Sequence, residues 1–190
     1  MTASTAELRD LDFELVERHL HGDETAFEEL YEQHADMVYN LSLRMAGNPE
    51  QAADWTQEIF LRIFRHLSKF RGGARLSTWI YRIALNYCNG RLQRRRRNHD
   101  DRPLERLVDP RRSPEANAAA SDTGRQVAEA LEALPRRYRE AVVLRDLEGL
   151  AYSEIAEITG SRIGTVRSRI ARGRDRLRKL LETDTAETPA

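Results

Sequence analysis

Residues 152–171 read YSEIAEITGSRIGTVRSRIA, and this stretch decides the fold. Ile155 and Ile158 lie three apart, one turn of a short helix. Ala156 is small where two helices must cross closely, and Gly160, four residues on, supplies a turn that tolerates positive φ. Val166 and Ile170 then face back onto the first helix. The opposite face of the second helix shows Arg162, Thr165, Arg167, Ser168, Arg169 and Arg172. The spacing predicts a helix near 152–159, a tight turn, and a final helix with Ser161 as N-cap running to about Leu181. Arginines and hydroxyls near the start of an amphipathic helix suit the DNA major groove. An ordinary helical hairpin with a basic surface is the plainer reading of the same residues.

Helical periodicity continues upstream. Val127, Leu131 and Leu134 make one stripe, and Pro135 sits near a break. Tyr138, Val142, Val143 and Leu147 make the next, closed by Glu148-Gly149 with glycine at the C′ position. Further upstream the composition shifts. Residues 98–121 hold Pro103, Pro110, Pro114 and five acids with few large apolar groups, which reads as a linker. That length is awkward for a loop inside one compact domain. Before it come three more stripes. Phe27, Leu30, Tyr31, His34, Val38 and Leu41 form the first; Trp55, Ile59, Phe60, Ile63, Phe64 and Leu67 the second. Ser77 can cap the third, which carries Trp79, Ile80, Ile83, Ala84 and Tyr87. No strand alternation interrupts the pattern. The expected fold is all-α: two small helical domains over 12–97 and 122–182, joined by a flexible linker over 98–121, with disordered ends at 1–11 and 183–190.

The formal net charge is zero, but the charges are sorted along the chain. Residues 1–58 carry fourteen acids against three basic residues. Residues 59–97 carry eleven Lys or Arg and no acid, and residues 161–179 carry eight basic residues and one acid. Two basic blocks can therefore follow a phosphate backbone despite the neutral total. Both blocks are almost wholly arginine, which suits forked contacts to phosphates and bases. A solvated helix face is the bland alternative.

Other function classes find little support. Cys88 is alone, in an apolar stretch that suggests a buried thiol, so no disulfide framework or cysteine-rich zinc site is expected. The five histidines show no ligand spacing, and no phosphate loop or nucleophile–base set occurs, so neither cofactor, metal nor catalytic residue is expected. No long apolar run exists and the N-terminus is acidic and polar, so neither membrane insertion nor a signal peptide is expected; the expected location is cytoplasmic.

The first domain carries the specific signal. Asp54-Trp55-Thr56-Gln57-Glu58-Ile59-Phe60 resembles the helix by which bacterial RNA polymerase sigma factors clamp the beta-prime coiled coil. Phe70-Arg71-Gly72-Gly73-Ala74-Arg75-Leu76-Ser77-Thr78-Trp79-Ile80-Tyr81-Arg82-Ile83-Ala84-Leu85-Asn86 resembles their segment that melts and reads the −10 promoter element. Gly164-Thr165-Val166-Arg167-Ser168-Arg169 is similar to their −35 recognition helix. Three motifs in order across a linker, with no middle domain, resemble the extracytoplasmic-function group of that family over about residues 12–181.

The resemblance implies a promoter-specific initiation subunit, not an enzyme. It implies core RNA polymerase (beta-prime and beta subunits), promoter DNA and an anti-sigma factor as partners. Asp54, Gln57, Glu58 and Phe60 would meet the polymerase; the three polar ones share one helical face. Phe70, Arg71, Arg75, Trp79, Arg82, Asn86, Arg91 and Arg94 would meet the −10 element, with Asn86 hydrogen-bonding a base taken out of the stack. Phe70 and Trp79 serve equally well as core. Arg145, Tyr152, Arg162, Thr165, Arg167, Ser168, Ala171 and Arg172 would meet the −35 element. Five residues depart from the family pattern. Ala151 lacks the usual cap, Ser153 stands for a common Glu, Ser161-Arg162 stands for Cys-Pro, and Ala171 offers little to a base. A stand-alone helix-turn-helix regulator would account for 127–181 but leave Asp54–Asn86 unexplained.

Overall fold

The structure is a computed structural model that describes residues 5–100 and 122–186. Eight α-helices follow in order among those residues: α1 Thr5–Leu20, α2 Glu24–Ala46, α3 Pro49–His66, α4 Leu76–Asp100, α5 Asp122–Ala133, α6 Arg136–Val142, α7 Tyr152–Thr159 and α8 Ile163–Ala186. A 3-10 turn over Leu67–Lys69 follows α3, and a π turn over Val143–Leu147 extends α6. No strand occurs among the described residues.

Local chemistry sets the boundaries. Asp23 caps α2 by accepting from the Thr25 N–H at 3.0 Å. Asn48 caps α3 by accepting from the Gln51 N–H at 2.9 Å, with Pro49 at the first turn. Three expectations about ends are corrected. Residues 5–11, read as disordered, belong to α1. The first domain's last helix runs through Asp100 rather than stopping at 97, and α8 runs through Ala186, past the expected end at about Leu181. The expected linker lies, from residue 101 on, outside the described residues.

The first domain packs α1–α4 around Leu30, Leu41, Ile59, Ile63, Leu67, Leu76 and Ile80, all almost fully buried. The apolar stripes lie where the periodicity put them, except that Tyr31 and Phe64 stay 43% and 51% exposed at its edge. His34 is buried, and burial holds its pKa below the usual value. Cys88 is buried too, its thiol pushed up to about 12 by burial, so it stays protonated and inert.

The second domain closes around Leu131, Leu134, Leu144, Ile155, Val166 and Ile170. Gly173 lets α8 lie directly on α6: a Cβ there would stand 2.6 Å from Val142 Cγ2 and 3.2 Å from the Tyr138 carbonyl oxygen. The two domains touch along α2 and α4. A Cβ on Gly47, the left-handed cap of α2 (φ +69°), would stand 2.6 Å from the Ala128 Cβ of α5.

Candidate nucleic-acid interface

The helix-turn-helix is built as its sequence dictates, with two local differences. Gly160 takes φ +61° and closes α7, while Ile155, Val166 and Ile170 are buried between the helices. Ala151 gives no side-chain cap, but Glu154 Oε2 accepts from the Ala151 N–H at 2.8 Å, so half of a capping box survives. Ser161 does not cap α8, which starts at Ile163. Its hydroxyl oxygen instead accepts from Arg169 Nη1 at 2.8 Å, which folds Arg169 back onto the turn.

Arg162, Arg167, Ser168, Ala171 and Arg172 are exposed on the outer face of α8, with Thr165 half-buried beside them. Aromatic rings preset the arginines. The Tyr152 ring has the guanidinium of Arg145 at 4.9 Å and that of Arg167 at 5.7 Å from its centroid. Arg145 is also tied by a 2.8 Å bond from Nη1 to the Leu150 carbonyl. Arg172 turns toward Tyr138, whose hydroxyl is held below the usual phenol pKa by hydrogen bonds from Arg137 and then Arg172. The Ser168 hydroxyl donates to the Thr165 carbonyl at 2.9 Å. The result is a cationic face with short polar groups between its arginines.

The first domain's basic face lies on α4 and on the 70–75 loop. Phe70 is buried and Trp79 half-buried, their ring centroids 5.7 Å apart. A cavity of about 420 Å³ is lined by Phe13, Glu14, Phe70, Arg71, Gly72, Ala74 and Leu76. Neither Trp79 nor Asn86 lines it. Arg71, Arg91 and Arg94 are exposed. Arg75, Arg82 and Asn86 are held by the second domain. Arg75 Nη1 lies 3.4 Å from Glu154 Oε1, Arg82 donates to the Glu157 carbonyl, and Asn86 Oδ1 accepts from Arg136 Nη2 at 2.8 Å.

On α3, Asp54, Gln57 and Glu58 are all exposed on one face. Phe60 is different: it is only 4% exposed and packs on Tyr31 at 4.6 Å between centroids. It supports that face from within rather than presenting itself to a partner.

Several polar residues escaped the sequence reading. Asn89 is 3% exposed; its Nδ2 donates to the Leu85 carbonyl and to Glu140 Oε1, both at 2.8 Å, and its Oδ1 accepts from Arg139 at 3.2 Å. Glu148 accepts from Arg44 Nε at 2.9 Å and from the Tyr81 hydroxyl at 3.3 Å. Burial raises the pKa of Glu148, against the pull of Arg44. No local spacing marks these residues in the sequence, because their partners come from distant parts of the chain: Asn89 and Glu140 are 51 residues apart, Arg44 and Glu148 are 104 apart.

Comparison with known proteins agrees with this geometry. Residues 30–98 match the family model "Sigma-70 region 2" and residues 124–177 match "Sigma-70, region 4". The chain is 41% identical over 178 residues to the ECF RNA polymerase sigma factor SigE of Mycolicibacterium smegmatis, covering 88% of this chain and 67% of that one. It is 33% identical to the RNA polymerase sigma-H factor of Pseudomonas aeruginosa, covering 92% and 95%. Among solved structures it is similar to CnrH in complex with the cytosolic domain of CnrY (TM-score 0.65, 25% identity, covering 92% and 99%). It is likewise similar to RpoE in complex with the anti-sigma factor NepR from Bartonella quintana (TM-score 0.60, 25% identity, covering 83% and 98%). Two helical domains bearing regions 2 and 4 in order, with relatives that match about nine-tenths of this chain, place it in the extracytoplasmic-function family of RNA polymerase sigma factors, which direct promoter-specific transcription initiation.

Proposed function

We propose a division of labour among three surfaces of this sigma factor. The exposed face of Asp54, Gln57 and Glu58 on α3 docks on core RNA polymerase. The outer face of α8 reads the −35 element as duplex, with Arg167 and Arg172 toward bases and Arg145, Tyr152 and Thr165 toward the backbone. The α4 face and the 70–75 loop meet the −10 element as single strand, with Asn86 toward an unstacked base and Arg71, Arg75, Arg82, Arg91 and Arg94 toward phosphates. The observation that supports this reading is the arginine face of α8, where the Tyr152 ring carries the guanidinium groups of both Arg145 and Arg167. Phe60 sits outside the docking face in this reading, because it is buried.

An anti-sigma factor is proposed as a further partner, since the RpoE structure that this chain resembles contains one. No described helix is long and apolar enough to cross a membrane. Run-off transcription with core enzyme on candidate promoters, beginning with the one upstream of its own coding sequence, tests the reading. A transcript that needs this chain and both promoter elements is expected. Sequence-specific repression by the chain without polymerase would instead favour a stand-alone regulator.

A further inference from the structure

Helix α1 touches the 70–75 loop and the start of α4 at two points. The Phe13 ring lies against Gly72: a Cβ on that glycine would stand 3.2 Å from Phe13 Cδ2 and 3.3 Å from Cε2. Gly72 takes φ +68°, so both its backbone and the ring beside it require glycine. The second point is a cap. The Asp12 carboxylate accepts from the N–H of Leu76, the first residue of α4. That donor belongs to the set a helix leaves unpaired at its start. Arg75, whose carbonyl accepts from the Trp79 N–H at 3.2 Å, has a side chain that can only donate, so it cannot cap α4 itself. Ser77, expected to cap this helix, already lies within it. Asp12 therefore does the capping from another helix. Its side chain is 17% exposed, and Oδ1 also lies 3.9 Å from His34 Nε2 of α2. Burial raises the Asp12 pKa, against the opposing pull of the Leu76 N–H and the Arg75 guanidinium. Phe13 and Glu14 line the 420 Å³ cavity together with Phe70, Arg71, Gly72, Ala74 and Leu76. The loop thus borders open space here, and a Cβ on its Gly73 would meet nothing within 4 Å.

We propose that Asp12 and Phe13 are positioning residues for promoter opening: α1 braces the 70–75 loop and the first turn of α4 in the shape that meets the −10 strand, without touching DNA itself. The proposal rests on assigning that loop to the −10 element. A loop held in its binding shape spends little on ordering when the strand arrives. With the brace removed, the loop samples other shapes, and its apparent affinity falls with the fraction that remains competent. The −35 face on α8 belongs to the other domain, so the brace has no hold on it.

The test compares wild type with Phe13→Ala, Asp12→Ala and Asp12→Asn, each as the full chain assembled with core polymerase. Phe13 is 43% exposed, so its truncation leaves the core filled and keeps the test decisive should Asp12→Ala disturb the fold. Asparagine retains an oxygen that can accept from the Leu76 N–H. Opening is followed by a fluorescent base on one promoter and on single-base variants of its −10 element. Binding to a −35 duplex is measured beside it, and hydrogen exchange over residues 70–80 is read in the free chain. Phe13→Ala and Asp12→Ala should speed exchange in that segment alone and leave −35 binding unchanged. Each should lower opening, and the preference among −10 variants, about fivefold, the equilibrium equivalent of one lost helix cap. Asp12→Asn should restore most of the opening. Unchanged opening in both alanine variants overturns the proposal. So does −35 binding that falls as much as opening, or exchange raised across the whole first domain, since general destabilisation would give either. Arg71→Ala, within the loop, separates the two readings. If it impairs opening while the α1 variants do not, only the brace fails; if it too leaves opening unchanged, the loop's −10 assignment and the brace fall together.

Discussion

Helices α4 and α8 are both long and arginine-rich, yet they face opposite surroundings. The first is packed on two sides, by α2 and α3 within its own domain and by α7 across the domain boundary. Ile80, Tyr81, Ala84, Leu85, Cys88, Asn89 and Leu92 are all buried along it. The second buries one stripe, Val166, Ile170 and Gly173, and leaves Arg167, Ser168, Ala171 and Arg172 in solvent. A duplex can be met by a surface that is always on display, because its base edges are reachable without rearrangement. A single strand exists only after melting, and of the residues proposed to meet it Arg75, Arg82 and Asn86 contact the second domain while Arg71, Arg91 and Arg94 are exposed.

This contrast can be broken first at the packing. Ile80→Ala on α4 should destabilise the first domain by about 2–5 kcal/mol, because it empties a fully buried site. Gly173→Val on α8 should destabilise the second by about 1–3 kcal/mol, since Val142 and the Tyr138 carbonyl fill the space. Arg94→Ala, on the exposed end of α4, should stay within about 0.5 kcal/mol of wild type. Urea titration followed by circular dichroism checks all three; equal effects at the three sites would erase the distinction between the faces.

The exposed side of the comparison is sharpened by Arg167→Ala and Arg172→Ala. Each should weaken −35 binding by holoenzyme about ten- to a hundredfold, the loss of one forked base contact, with little change in stability. Arg167 has Tyr152 as a platform, so Tyr152→Leu should weaken binding less than Arg167→Ala, by freeing the guanidinium rather than deleting it. Equilibrium binding to a −35 duplex reads both effects.

A smaller effect is expected on α3. Asp54→Ala with Gln57→Ala should reduce co-purification with core polymerase while the helical spectrum is unchanged, because both side chains are exposed and fill no core. Full retention of core binding would remove that face from the proposed docking surface.

The unequal legibility of the two helices has a physical cause. The α8 pattern was plain because one stripe is buried and the rest is wet, so periodicity and burial agree. On α4 the apolar stripe of Trp79, Ile80, Ile83, Ala84 and Tyr87 showed only the side facing the first domain's core. Tyr81 and Asn89 find their partners on other elements, Glu148 and Glu140, and no local spacing announces a neighbour 51 residues away, as Glu140 is from Asn89. The same limit explains Phe60. It belongs to the stripe that packs on Tyr31, yet its place in a recognised motif suggested a surface role. Ser161 shows a competing local effect: a good capping residue was taken by Arg169, and α8 began two residues later.

The central claim, that one domain reads duplex and the other reads an opened strand, is tested most directly by comparing Asn86→Ala with Arg167→Ala in holoenzyme on one promoter. Duplex binding and fluorescent-base opening are measured side by side, on intact DNA and on a template with mismatched −10 bases. Asn86→Ala should leave duplex binding nearly intact and slow opening, and the mismatched template should lessen that defect without abolishing it, because the base contact is still missing. Arg167→Ala should weaken binding on both templates. Duplex binding lowered equally by the two substitutions, or normal opening by Asn86→Ala, would contradict the account.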